Sequence, residues 1–471
     1  MPMKRLLSLS LLVAFSLSAQ GQRETALDRY VKAPDPAFRF SLVSTVPGKG
    51  FTTYVLDMTS QNWLTPAEVD RTEWRHWVVI VKPDEVKHTT GLLFIGGGNN
   101  NSKPPAQADA FATQMATQTK SVVAELRMVP NQPLSFFGET RKRSEDSIIA
   151  FNWKKYLETG DERWPTRLPM TKAAVRAMDT VTQFMASDAG GGLTVDKFAV
   201  TGGSKRGWTT WTTAIVDKRV VAIMPAVIDL LNMSKSFIHH WRAYGFWAPA
   251  VGDYVEHGVM DWTETVEFDR LMKIVEPFEY RARLTLPKFI VNSTGDQFFL
   301  PDSSQFYFKE LKGEKYLRYV PNTDHGVTRR SDAAESLAAF YDSILNNYKR
   351  PEFSWDIAKN GTITVKTKEK PAAVKLWQAT NPDARDFRLE KIGPAYKSTD
   401  LTETKPGVYV APAPKTEKGY TAYFVELTFP TPSGMKWKFT TDVKVTPDVY
   451  PFPAPQLKPP AGATPLKKSR Y

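Results

Sequence analysis

The segment FAVTGGSKRGWTTW, Phe198 to Trp211, leaves few folds open to this chain. An apolar run (Phe198, Ala199, Val200, Thr201) stops at two glycines, turns over Ser204 and continues through Gly207 into residues that can form a helix. Strand, sharp turn and helix, with a serine at the apex, describe a nucleophile elbow. The apex backbone is strained in such a turn, and a Cβ at Gly202 or Gly203 is expected to crowd it. Ser204 Oγ would then stand clear of the sheet edge.

The usual elbow reads Gly-x-Ser-x-Gly, whereas here the second glycine comes one place late, as Gly202-Gly203-Ser204-Lys205-Arg206-Gly207. Esterases that act on glucuronoyl esters resemble this variant, with a serine, a basic residue and the glycine displaced. Taken alone, the stretch could equally be a Gly-rich turn that holds a phosphate or only packs, so the partners decide.

Upstream, residues 30–81 alternate or run apolar and are broken by Pro47-Gly48 and Pro66, which predicts antiparallel strands. A short buried strand, Leu92 to Ile95, then meets Gly96-Gly97-Gly98-Asn99. In an elbow hydrolase the loop after this strand gives one amide to the oxyanion and the residue after the nucleophile gives the other. Gly97, Gly98 and Asn99 are the loop candidates, and Lys205 is the second donor. A helix over 106–117, a strand over 121–129, helices from Ser144 and over 170–187, the elbow strand and a strand over 222–229 complete a mainly parallel, doubly wound α/β sheet. Residues 230–285 interrupt the alternation with His239-His240-Trp241, Trp247, Tyr254 and Trp262, in the place of a helical cap. Most of these aromatics are expected to form the insertion's own core.

A serine hydroxyl needs an imidazole to take its proton and a carboxylate to orient that imidazole. Strand 289–293 ends at Gly295-Asp296, and strand 316–320 is followed by His325 in a loop and by a helix over 332–348. The order Ser204, Asp296, His325 is that of the α/β-hydrolase class. Of six histidines, only His325 follows a strand beyond the aspartate. Asp324 is the rival acid, but neighbouring side chains on an extended loop point apart; Asp302 is expected to cap a helix beginning near Pro301. His239-His240 lacks zinc-ligand spacing, so neither a metal nor another cofactor is expected.

The N-terminus, Met1-Pro2-Met3-Lys4-Arg5 before LLSLSLLVAFSLSA, reads as a secretory leader over residues 1–21, cut after Ala19 or Gly21. With no cysteine, lipoprotein processing and disulfides are excluded. No later stretch is apolar enough to span a membrane, so a periplasmic or extracellular protein is expected. The formal charge of +12 loses Lys4 and Arg5 with the leader. No basic patch interleaved with aromatics forms a nucleic-acid module.

Beyond the hydrolase region (28–350), residues 351–450 hold short alternating runs such as TITVKT, AVKLWQA and YTAYFVELTF, which predict a small immunoglobulin-like β-sandwich. Its expected role is support of the hydrolase region. Residues 451–471 are Pro-rich and basic, an extended tail that could meet an anionic envelope surface.

The motifs GGSKRGWTTW, STGDQFFLPDSS, VPNTDHG, VKLWQATNPDARDFR, GYTAYFVEL and FTTDVKVTP resemble those of the PhoPQ-activated pathogenicity-related proteins. That resemblance implies export, an α/β-hydrolase-like domain, and a Ser204, Asp296, His325 arrangement similar to serine peptidases of the prolyl-oligopeptidase kind. The expectation is an exported serine hydrolase acting on a peptide or ester. A hydrolase-shaped binding or signalling protein and a uronoyl esterase are the alternatives.

Overall fold

The computed structural model describes residues 24–328 and 331–467; the expected leader lies outside them. Three long strands, β1 (Arg39–Gly48), β2 (Phe51–Asn62) and β3 (Glu73–Pro83), form an antiparallel meander. It passes into β4 (Thr90–Ile95), β5 (Val123–Leu126), β6 (Lys197–Gly203), β7 (Val220–Ala226), β8 (Lys288–Ser293) and β9 (Lys315–Val320). The spatial order is β1-β2-β3-β5-β4-β6-β7-β8-β9, and neighbours from β5 to β9 are parallel. That topology is the α/β-hydrolase sheet.

Period-two alternation explains why the central strands read as unbroken apolar runs: both faces are covered. Leu92, Val123, Ala199 and Ala222 share a core with α2 (Ala110–Thr119) and α9 (Ala333–Leu345). Leu93, Ala124, Phe198, Val200 and Ile223 share another with α4 (Arg167–Ala186) and α5 (Lys205–Val216). A short helix, α1 (Ala26–Lys32), precedes the meander, and α3 (Asp146–Thr159) lies between α2 and α4 in the chain. Two local expectations change. The strand drawn over 121–129 shortens because Met128 takes φ 66° and the amides of Met128 and Val129 turn to the carbonyls of Gly97 and Gly96. The helix near Pro301 is one short 3-10 turn, Ser303–Phe306, with no side-chain cap from Asp302.

The insertion between β7 and β8 carries α6 (Met233–Tyr244), α7 (Gly252–Glu256) and α8 (Val266–Val275). Two antiparallel sheets follow α9, one containing β10 (Phe353–Ile357) and β11 (Ile363–Thr367), the other built on β12 (Ala373–Asn381). The tail is extended but not loose as far as Lys467. It lies along the insertion: Val266 N donates to Thr464 O at 2.9 Å, Leu466 N to Glu264 O at 2.9 Å, and Lys458 N to Asp261 Oδ1 at 3.0 Å. No helix of the described residues is long and apolar enough to cross a membrane.

Glu276, at the end of α8, is buried and accepts the amide of Met233 at 3.0 Å. Burial pushes its carboxyl up from 4.5 to about 8. The folded protein therefore keeps a proton that the unfolded chain releases above pH about 4.5, and stability falls as pH rises from there towards 8. Glu276→Gln should flatten that slope. Urea unfolding should find variant and wild type equal near pH 5 and the variant more stable by roughly 1 to 4 kcal/mol at pH 8.

Candidate active site

Ser204 sits between β6 and α5 with φ 58° and ψ −129°. Its amide donates to Ala226 O at 2.9 Å and its carbonyl accepts Trp208 N at 2.9 Å, so the turn is fixed to β7 and α5 together. A Cβ on Gly202 would lie 2.8 Å from Arg206 O, and one on Gly207 2.8 Å from Ala226 O and 3.0 Å from Gly202 O. At Gly203 the nearest atom, Val227 Cγ2, is 3.7 Å away, so the second glycine is not sterically required. The elbow needs glycine two places before the serine and three after it.

At the ends of β8 and β9 the structure brings Asp296 and His325 together. His325 Nδ1 lies 2.8 Å from Asp296 Oδ2 and 3.0 Å from Oδ1. Asp296 is buried, Phe298 N donates to its Oδ1 at 2.8 Å, and the imidazole retains 22% side-chain exposure. Phe298 and Phe299 pack on the imidazole, at 4.4 and 5.9 Å between ring centroids, and the same two rings line the cavity that Ser204 lines.

The other acids near this edge are engaged elsewhere. Asp324 Oδ1 accepts Gly326 N within its own turn. Asp302, in place of capping a helix, binds His239 Nε2 at 2.8 Å and Arg385 Nη2 at 2.6 Å in full burial. Burial works to raise its pKa, but the charge of Arg385 outweighs it and holds the carboxyl far below the usual range. Asp229, after β7, accepts the hydroxyls of Tyr307 and Tyr319, both at 2.6 Å. Of the remaining histidines, His76 is wholly buried against Ser60 Oγ at 3.0 Å, and His240 Nε2 accepts Ala248 N.

Sequence reasoning missed an ionic lattice around the elbow. Lys205 Nζ lies 2.8 Å from Glu145 Oε2 and 3.0 Å from Asp146 Oδ2, while Arg206 grips Glu145 through both terminal nitrogens at 2.7 and 2.8 Å. Burial acts to raise the pKa of Glu145, but the two cations prevail and keep it ionised well below the ordinary range. Glu145 itself sits at φ 52° and ψ −126°, a near copy of the serine's conformation. The pair Glu145-Asp146 was visible in the sequence, but nothing in its spacing tied it to Lys205. Of the loop residues, Gly97 backs onto the Arg206 guanidinium, Gly98 O accepts Gln132 Nε2, and Asn99 N donates to Ser102 Oγ at 3.2 Å. Gly97 and Gly98 line a separate, shallower depression.

The profile of the PhoPQ-activated pathogenicity-related proteins matches residues 27–388. The chain belongs to that family. Autocrine proliferation repressor protein A of Dictyostelium discoideum is 37% identical over 456 residues, covering 91% of this chain and 92% of its own. Among solved structures, an acetyl xylan esterase from Paenibacillus sp. R4 superposes with a TM-score of 0.48 at 13% identity, over 68% of this chain and 92% of that one. An acylaminoacyl peptidase from Pyrococcus horikoshii does so with a TM-score of 0.41 at 13% identity, over 68% and 51%.

The elbow geometry sets an order of tolerance. Gly202→Ala and Gly207→Ala should each cost more than about 2 kcal/mol by urea unfolding, whereas Gly203→Ala should stay within about 1 kcal/mol of wild type.

Proposed function

We propose that the protein is an exported serine hydrolase that cleaves an amide or ester through an acyl-enzyme, with peptide substrates favoured. The observation that carries this reading is the Asp296–His325 pair, 2.8 Å apart, at the same sheet edge as a serine held at φ 58°. In this reading Ser204 Oγ attacks the carbonyl and gives its proton to His325 Nε2. Asp296 holds the opposite Nδ1–H and stabilises the imidazolium. The amide of Lys205 and the Gly97 to Asn99 loop donate to the oxyanion, which requires Asn99 N to leave Ser102. His325 then protonates the leaving group, and water attacks the acyl ester by the same route.

Export follows from the leader-like residues 1–21. The two antiparallel sheets of residues 351–450 are read as an immunoglobulin-like sandwich, supported by the shared core of Val365 and Tyr409 with Val425 and Leu427. A second reading, a secreted signalling protein with a hydrolase shape, has in its favour the 37% identical relative named for repressing proliferation. Uronoyl ester cleavage has the late glycine of the elbow.

A fluorophosphonate probe should label wild type and not Ser204→Ala. Asp296→Asn should lower kcat on any accepted substrate by about 10⁴, through the wrong imidazole tautomer. Absence of labelling on protein that shows normal unfolding would favour the signalling reading.

A further inference from the structure

The cavity beside Ser204 is walled by tryptophans and phenylalanines, among them Trp153, Trp208, Trp247 and Phe298. It is small, about 40 Å³, room for about three water-sized groups. Its charged members are Asp146, Lys205 and Arg167. Each is the first residue of a helix: α3, α5 and α4 respectively. The first residues of three helices of 14, 12 and 20 residues thus line one cavity. Such ends carry partial positive charge and favour an anion.

The side chains of the site and its rim leave one positive charge in excess: Lys205, Arg206 and Arg167 against Glu145 and Asp146. Lys205 and Arg206 are matched by Glu145 and Asp146, and Asp146 also accepts the hydroxyl of Tyr254 at 3.0 Å. His240 is kept neutral by burial, which pushes it down to about 3. Arg167 remains. It is 2% exposed, its Nη1 donates to the carbonyl of Lys205 at 2.9 Å, and its guanidinium lies 4.8 Å over Trp208. Its Nε has no hydrogen-bond partner, and among the described residues no carboxylate lies within ion-pair distance of it, though the charge of Asp146, already shared with Lys205, acts on it. Burial lowers its pKa only to about 10, so it stays charged. A cation at a helix's first position opposes the dipole, and a buried unpaired charge is costly. A cation–π contact offsets part of that; an anionic ligand would offset the rest.

We infer that this cavity is a carboxylate subsite, in which Arg167 receives an anionic group that the substrate carries on a short carbon stem. The substrate is then an ester or amide with a free carboxylate a few atoms from the cleaved bond. The reaction half of this inference rests on the hydrolase reading of Ser204; the binding half does not.

The test has two arms. In Ser204→Ala protein, tryptophan fluorescence is titrated with butyrate and with butyramide. Butyrate should bind at least tenfold tighter, Arg167→Met should abolish that preference, and Arg167→Lys should restore part of it. Equal affinity for the two ligands overturns the inference, as does a preference that survives in Arg167→Met. Should Arg167→Met not fold, the comparison of ligands and the Arg167→Lys variant decide. In wild type, 4-nitrophenyl succinate, with its free carboxylate, should exceed 4-nitrophenyl methyl succinate at least tenfold in kcat/KM, mostly through KM. A ratio near one overturns the inference, as does an equal fall of both rates in Arg167→Lys. No fluorophosphonate labelling of wild type, with butyrate binding intact, removes the hydrolase reading and leaves the subsite standing.

Discussion

Ser204 holds a backbone conformation that side-chain-bearing residues rarely adopt, at a cost of order 1–3 kcal/mol. What holds it there is the close approach of three backbones. Gly202 lets the carbonyl of Arg206 come near, Gly207 lets α5 lie on β7, and the serine amide is tied to Ala226 O. Because the strain is absorbed by strand and helix together, the hydroxyl is presented without a flexible loop behind it. The order of the sheet follows from the same contact, since β7 must lie beside β6 for Ala226 to serve the turn.

The late glycine of the motif has a physical cause in this arrangement. The position two after the serine, where glycine is usual, holds Arg206, whose side chain leaves the turn between Glu145 and the Gly97 loop. A Cβ on Gly97 would sit 2.8 Å from its terminal nitrogen. The guanidinium also donates to Val129 O, which closes the loop after β5 onto the elbow. Glycine is then needed one place later, where β7 crowds the helix. The triple-glycine loop therefore serves at least to make room for a cation. Glu145, strained in the same way as Ser204, anchors both Lys205 and Arg206, so two costly backbone turns are joined by salt bridges across the mouth of the site.

Much of this was legible in the sequence because it is local or periodic. The elbow, the short apolar strands and the positions of Asp296 and His325 after strands all follow from patterns within about ten residues. What escaped was non-local. Asp302 reads as a helix cap because aspartate before Ser303-Ser304 normally is one; burial between His239 and Arg385, 63 and 83 residues away, overrides that preference. Arg167 gives no signal at all, since nothing in the sequence around it shows that it is buried without a carboxylate in ion-pair reach. Gly203 looked obligatory beside Gly202, but a strand's alternating faces put only Gly202 against the helix. The insertion's aromatics divide likewise: Trp262 and Phe268 are core, while Trp247 and Tyr254 also line the cavity.

The C-terminal sheets cannot be treated as an independent appendage, because their connecting loop holds the acid in place. Leu389 N donates to Gly295 O at 3.0 Å, and a Cβ on Gly295 would lie 2.8 Å from that same nitrogen. Arg385, four residues earlier, reaches Asp302 on the far side of the Asp296 loop. The segment 385–389 thus clamps the loop that carries Asp296 at both ends, and Asp302 passes the constraint on to His239 in the insertion. Deep burial of the Arg385–Asp302 pair makes breaking it costly, so the acid loop, the insertion and the C-terminal region are coupled mechanically. The match to the family runs well past α9 and ends at residue 388. A unit cut at the end of α9 would retain Ser204, Asp296 and His325 but lose the contact that fixes the loop carrying Asp296.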